Sequence, residues 1–184
     1  MDISLSEEQE LLQGSTRDFL QQECPMRLVR AMEEDEKGYD PNLWRQMAEL
    51  GWLGLALPES YGGAGGTMVD LVVLLEEFGR ALVPGPFVPT AVLVGLPIVW
   101  AGSAQQKQAY LPRLVRGELI ATLAWHEPSA TSQPAGVETT ADLQGEVYVL
   151  NGTKLCVPYA HVADYLLMGA RTGTGATWRS GGFA

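Results

Sequence analysis

At Glu118 the hydrophobic pattern of this 184-residue chain changes its period. Before it, apolar residues recur every three or four positions. After it, they alternate or run in short β-branched stretches. The chain therefore passes from an all-helical part into a β part. The expected architecture is α+β: an all-α helical domain over residues 1–117, then an incomplete antiparallel β-barrel-like domain over 118–184.

The helical part is punctuated clearly. Ser6 followed by Gln9 has the form of a capping box, which predicts a first helix from about 6 to 23, and Pro25 ends that pattern. A shorter helix then runs toward Gly38. Asp40 and Pro41 make a cap and first-turn pair for a third, with Leu43, Met47 and Leu50 inward and Gly51 as its stop. The stretch LPESYGGAGG, residues 55–66 with its flanks, is a turn-rich connection: no Walker lysine follows and no strand precedes, so it is not a phosphate cradle. Thr67 caps the next helix, whose stripe of Met68, Leu71, Val72, Leu75 and Phe78 is expected to face a core while Glu76, Glu77 and Arg80 face out. A buried helix follows near 88–101. Ser103 and Gln106 repeat the capping box, with Tyr110, Leu111 and Leu114 inward and Gly117 as the stop.

In the β part, LIATLAW reads as a strand, VETTADL and EVYVL as half-buried strands, and ADYLLMGART as one more. Asn151-Gly152 is expected to be a two-residue hairpin turn. The final GTG is too short for a dinucleotide fingerprint, and no internal repeat is present.

Composition narrows the partners. A formal net charge of -10 repels nucleic acid and anionic membranes, and 46% apolar residues supply a real core. The apolar run Val88–Gly102 is shorter than the ~18–20 residues of a bilayer span and holds two prolines. Cys24 and Cys156 lack metal-ligand spacing, and no leader-like segment opens the chain, which together fit a reducing cytoplasm.

Taken jointly, the order LPESYGGAGG, EEFGRA, GSAQQKQAYLPRLVRGELIATLAWHEP and YVLNGTK resembles the acyl-CoA dehydrogenase family over residues 4–172. The resemblance implies a helical domain, a β-barrel-like middle domain and a C-terminal helical domain, with FAD between the last two and an acyl-CoA thioester against the flavin. In that family a carboxylate removes the α-proton and the β-hydride passes to the flavin. By this reading the chain ends partway through the middle domain, before the helices that usually bring the catalytic glutamate, so no catalytic base is assigned. Glu127 matches a structural loop acid of the family, not a base.

The resemblance also implies the cofactor contacts. Where the family reads Thr-Glu-Pro and then a run ending Gly-Ser-Asp, this chain has His126-Glu127-Pro128 and Thr131-Ser132-Gln133. Leu123, Trp125, His126 and Ser132 fall at flavin- and thioester-facing positions. Cys156, Val157 and Pro158 stand where the family often has Trp-Ile-Thr; Pro158 has neither hydroxyl nor N–H to offer the flavin. His126 either tunes the flavin or sits at a loop mouth, His161 reads as a surface residue, and Cys156 as a small apolar filler rather than a redox group.

Two functions follow. One is an N-terminal portion of an FAD-dependent acyl-CoA dehydrogenase, acting on an acyl-CoA substrate within a homo- or hetero-oligomer. The other is a non-catalytic partner subunit of a hetero-oligomeric acyl-CoA dehydrogenase, which the altered segments around Ser132 and Pro158 favour.

Overall fold

A computed structural model describes residues 4–129 and 136–172. Helix α1 (Glu7–Glu23) begins at the predicted capping box: the Gln9 N–H donates to Ser6 Oγ at 3.2 Å and the Ser6 N–H to Gln9 Oε1 at 3.1 Å. Two of the four orphan donors at the helix end are thereby satisfied. The α2 (Met26–Glu34) and α3 (Pro41–Glu49) helices follow, the latter capped by Asp40 and closed by Gly51 at φ 77°. The predicted box at Ser103 and the predicted cap at Thr67, which proves to be a box with Asp70, likewise start α6 (Ala104–Val115) and α4 (Met68–Ala81). Between them lie a π-helical stretch (Val88–Gly95) and α5 (Leu96–Ala101).

The glycine-rich connection is a folded turn with its own ladder. Ala64 N–H donates to Gly54 O, Gly65 N–H to Leu57 O and Gly66 N–H to Leu55 O, at 2.8–2.9 Å. At Gly63 a Cβ would overlap the Leu57 carbonyl, so only glycine lets the two backbones meet.

The core lies within the helical part, where Leu20, Leu43, Met47, Leu53, Leu57, Leu74, Leu111 and Leu114 are almost wholly buried. An aromatic run threads it, with ring centroids 5.1 Å apart for Phe19 and Trp52, 5.5 Å for Trp52 and Phe78, and 4.7 Å for Phe78 and Phe87.

On α4 the expected faces need correction. Glu77, expected outside, is 1% exposed, and Met68 and Val72, expected inside, are 51% and 57% exposed. The cause is α1, which packs along α4 and supplies Arg17 to Glu77 Oε1 at 2.7 Å, with Arg80 adding a contact at 3.2 Å. Arg17's hydrogen bonds, against the opposing effect of burial, hold the Glu77 carboxyl below its usual range.

Four short strands follow. β1 (Ala121–Ala124) pairs in parallel with β4 (Tyr165–Met168), and β2 (Thr140–Gln144) pairs antiparallel with β3 (Val147–Asn151). The parallel pair is an addition to the antiparallel expectation. Arg171, just past β4, bridges Thr140, so the continuation of β4 links the two pairs. No closed barrel is formed by the described residues.

The hairpin turn is not at Asn151-Gly152. Gln144 pairs with Val147, which leaves Gly145-Glu146 as the two-residue loop, with Gly145 at φ 66°. A glycine with positive φ at the first loop position is the type II′ pattern, matched to strand twist. Asn151 instead ends the ladder opposite Thr140. Gly152 is needed for space: a Cβ there would overlap Thr139 Oγ1. The hairpin is also less covered than expected, because β3 is exposed along its length.

Two contacts seat the β part on the helices. The Thr90 hydroxyl donates to Ala121 O at 2.8 Å and accepts the Ala121 N–H at 3.2 Å, taking the place of a strand neighbour. Tyr159 Oη accepts the Gly85 N–H at 2.9 Å and donates to Gly38 O at 3.4 Å.

Candidate functional site

The expected cofactor-facing residues divide into two neighbouring segments. Leu123, on β1, is half-buried and pairs with Leu167. Past the strand end, the half-buried Trp125 lays its ring over Gly169: a Cβ at Gly169 would come within 2.7 Å of the indole. His126 follows with its side chain exposed. Its carbonyl accepts the Leu155 N–H at 2.9 Å, which brings Cys156 alongside.

Cys156 is exposed and adopts φ 52°, in the left-handed region that non-glycine residues seldom enter. Pro158 is exposed at the start of the turn that carries Tyr159 to the helices. The structure thus gathers Trp125, His126 and Cys156 at one edge and leaves Pro158 on the turn beyond it. Ser132, with Thr131 and Gln133, lies outside the described residues. Exposed His161 stacks on Tyr159 with centroids 6.3 Å apart, matching its reading as a surface residue.

Beneath this edge sits a charged cluster. Glu127 and Lys154 form an ion pair at 2.6 Å with side chains only 4% and 5% exposed. Glu127 Oε1 also accepts the Thr139 N–H at 3.0 Å and the Thr139 hydroxyl at 2.6 Å, while Oε2 accepts the Glu138 N–H at 2.6 Å. Lys154 Nζ reaches the Trp125 carbonyl at 3.4 Å. Burial pushes the Glu127 carboxyl up, yet Lys154, Thr139 and the two backbone donors outweigh it and hold the group at about 2. A carboxylate so saturated with donors takes no proton at neutral pH, in agreement with its reading as a loop acid rather than a base.

The sequence reading found Glu127 but not its partners. Lys154 stands in the polar stretch after β3, and Thr139 immediately precedes β2. Only the folding of the hairpin back onto residue 127 unites them. Tyr159 was also missed, since a tyrosine in a Pro-containing turn carries no periodic signal.

The edge fits the border of a flat heterocycle in part. A half-buried indole supplies an apolar wall and an exposed imidazole supplies hydrogen-bonding nitrogens, whereas Pro158 supplies no donor. Among the described residues no group of three or more His, Cys, Asp or Glu side chains has metal-binding geometry. Nor is any helix long and apolar enough to cross a membrane.

Comparison with known proteins identifies the family. Residues 6–118 match the family model described as acyl-CoA dehydrogenase, N-terminal domain. Acryloyl-CoA reductase (NADH) of Anaerotignum propionicum is 34% identical over 175 residues, covering 94% of this chain and 44% of that protein. Among solved structures, the ChsE4-ChsE5 complex from Mycobacterium tuberculosis superposes with TM-score 0.83 at 29% identity, over 94% of this chain and 46% of that one. An acyl-CoA dehydrogenase of Bacillus anthracis complexed with FAD gives 0.81 at 34% identity, over 92% of this chain and 29% of that one. The chain therefore spans less than half the length of these relatives. Flavin use and assembly into complexes both occur among them. With its capped helices matched over residues 6–118, the chain belongs to the acyl-CoA dehydrogenase family, whose N-terminal domain it carries.

Proposed function

We propose that the chain serves as the N-terminal, flavin-bordering part of an FAD-dependent acyl-CoA dehydrogenase, with a helical unit over residues 1–117 and a partial β unit over 118–184. The observation that carries this reading is the Leu155 N–H to His126 O bond. It sets side by side the two segments that the resemblance assigns to the flavin.

In this reading Trp125 and Leu123 present an apolar wall to the ring system and shield it from water. His126 hydrogen-bonds its polar edge, Ser132 adds a hydroxyl, and the backbone at Cys156 and Pro158 closes the border. When bound, FAD supplies the acceptor for the hydride that leaves the β-carbon of an acyl-CoA thioester. The α-proton requires a base, and no residue is assigned that role.

The test is the visible absorbance of the purified chain after incubation with FAD and desalting. Retained flavin bands support the reading; a colourless protein counts against it. A second reading, a supporting subunit beside another acyl-CoA dehydrogenase chain, draws on Pro158, which deprives the edge of a donor. Co-purification with such a chain, with all flavin held by the partner, favours it.

A further inference from the structure

Residues 125, 126 and 127 are three consecutive positions, and each is held by one of two consecutive positions, 154 and 155. The Trp125 carbonyl and the Glu127 carboxylate both accept from Lys154 Nζ, at 3.4 and 2.6 Å, and the His126 carbonyl accepts from the Leu155 N–H at 2.9 Å. A third segment closes the cluster, as Glu138 and Thr139 donate three hydrogen bonds to the Glu127 carboxylate.

The arrangement is costly as a source of stability alone. Desolvating an ammonium and a carboxylate opposes their attraction, and a well-packed apolar pair of similar volume would hold the segments at least as firmly. What a fully satisfied polar network adds is a fixed geometry. Here the fixed object is the backbone on either side of His126. The exposed His126 side chain is therefore the free member of an anchored stretch, and the Trp125 ring is anchored at its carbonyl by Lys154 and at its face by Gly169.

We infer that Lys154 and Glu127 are positioning residues for the cofactor border, a buried clamp that sets where the Trp125 indole and the His126 imidazole stand. The inference rests on the flavin reading above for what the border receives, but the clamp itself is testable without a cofactor. Lys154 acts through the Trp125 carbonyl and the Glu127 carboxylate and does not touch the ligand.

The experiment compares Lys154→Met, Lys154→Arg and Glu127→Gln with the unsubstituted full chain, in two measurements. In the first, hydrogen-exchange mass spectrometry without FAD follows peptides spanning 123–129 and 152–157, with α6 as internal reference. Lys154→Met and Glu127→Gln are expected to speed exchange in both peptides by about tenfold or more while α6 stays protected, and Lys154→Arg to restore most of the protection. In the second, FAD is titrated and the absorbance of bound flavin recorded. Lys154→Met is expected to weaken binding about tenfold and shift the flavin bands, with recovery in Lys154→Arg.

Unchanged exchange in both peptides of Lys154→Met overturns the clamp. So does increased exchange accompanied by unaltered FAD affinity and spectrum, since a purely structural pair would behave that way. If the unsubstituted chain takes up no FAD, the flavin reading falls, while the exchange data still decide whether the clamp exists.

Discussion

Two buried hydroxyls mark opposite ways a side chain can meet its surroundings. Thr139 gives its hydroxyl to Glu127, whereas Thr122 Oγ1 is buried on β1 with no hydrogen-bond partner among the described residues. Burying an unpaired hydroxyl costs on the order of 1–3 kcal/mol, so Thr122→Val is expected to leave the melting temperature unchanged or raise it. Thr139→Val, by contrast, removes a donor from a buried carboxylate and is expected to lower it; thermal melts of the two variants make the comparison. Glu127 makes the stability of the fold depend on pH. Its carboxyl falls from an ordinary 4.5 to about 2 on folding, so the unfolded chain binds its proton first as pH drops. The stability it contributes is complete above about 4.5 and is lost as pH falls toward 2. Acid titration followed by circular dichroism should show a steeper loss across that window for the unsubstituted chain than for Glu127→Gln. Gly63→Ala tests the closest approach in the helical part: its methyl would meet the Leu57 carbonyl, and a destabilisation of about 1–3 kcal/mol is expected in urea unfolding.

At the scale of elements, the helix starts were legible because their signals are local. Each of the Ser6, Thr67 and Ser103 boxes needs only residues three apart, and all three form. Replacing Ser103 with Ala should cost about 1 kcal/mol in chemical unfolding, as a lost cap does elsewhere. Faces were less legible than ends. On α4 the apolar residues cover more than one side, and Glu77 looks like a surface acid until α1 places Arg17 against it. The hairpin misled for a related reason. Asn151-Gly152 has the stronger turn composition, but the register depends on which flanking residues pair, and the pairing of Leu143 with Tyr148 and of Ala141 with Leu150 puts four apolar side chains on one face. The candidate edge was found only through resemblance, since nothing in the spacing of Trp125, His126 and Cys156 announces that the chain returns there. Lys154 was invisible for the same reason.

For the molecule as a whole, the helical part is closed and the β part is open. Leu143, Tyr148 and Leu150, which share one face of the hairpin, are 61%, 48% and 37% exposed. Such an exposed apolar face invites association. Residues 1–184 alone are expected to elute as concentration-dependent oligomers in size-exclusion chromatography, and Leu143→Lys with Tyr148→Lys to shift them toward smaller species. A single compact monomer across a wide concentration range would contradict this. The parallel match of Ala121 with Tyr165 also has a history in time. During synthesis the helical part, rich in near-neighbour contacts, has all its residues in hand while β1 still waits for a strand not yet translated. Until then β1 rests on the stretch Val88–Gly95, with the Thr90 hydroxyl holding both backbone groups of Ala121. The nascent chain thus emerges with a finished head and a first strand already seated on it, whose free side is closed only when residues 165–168 arrive.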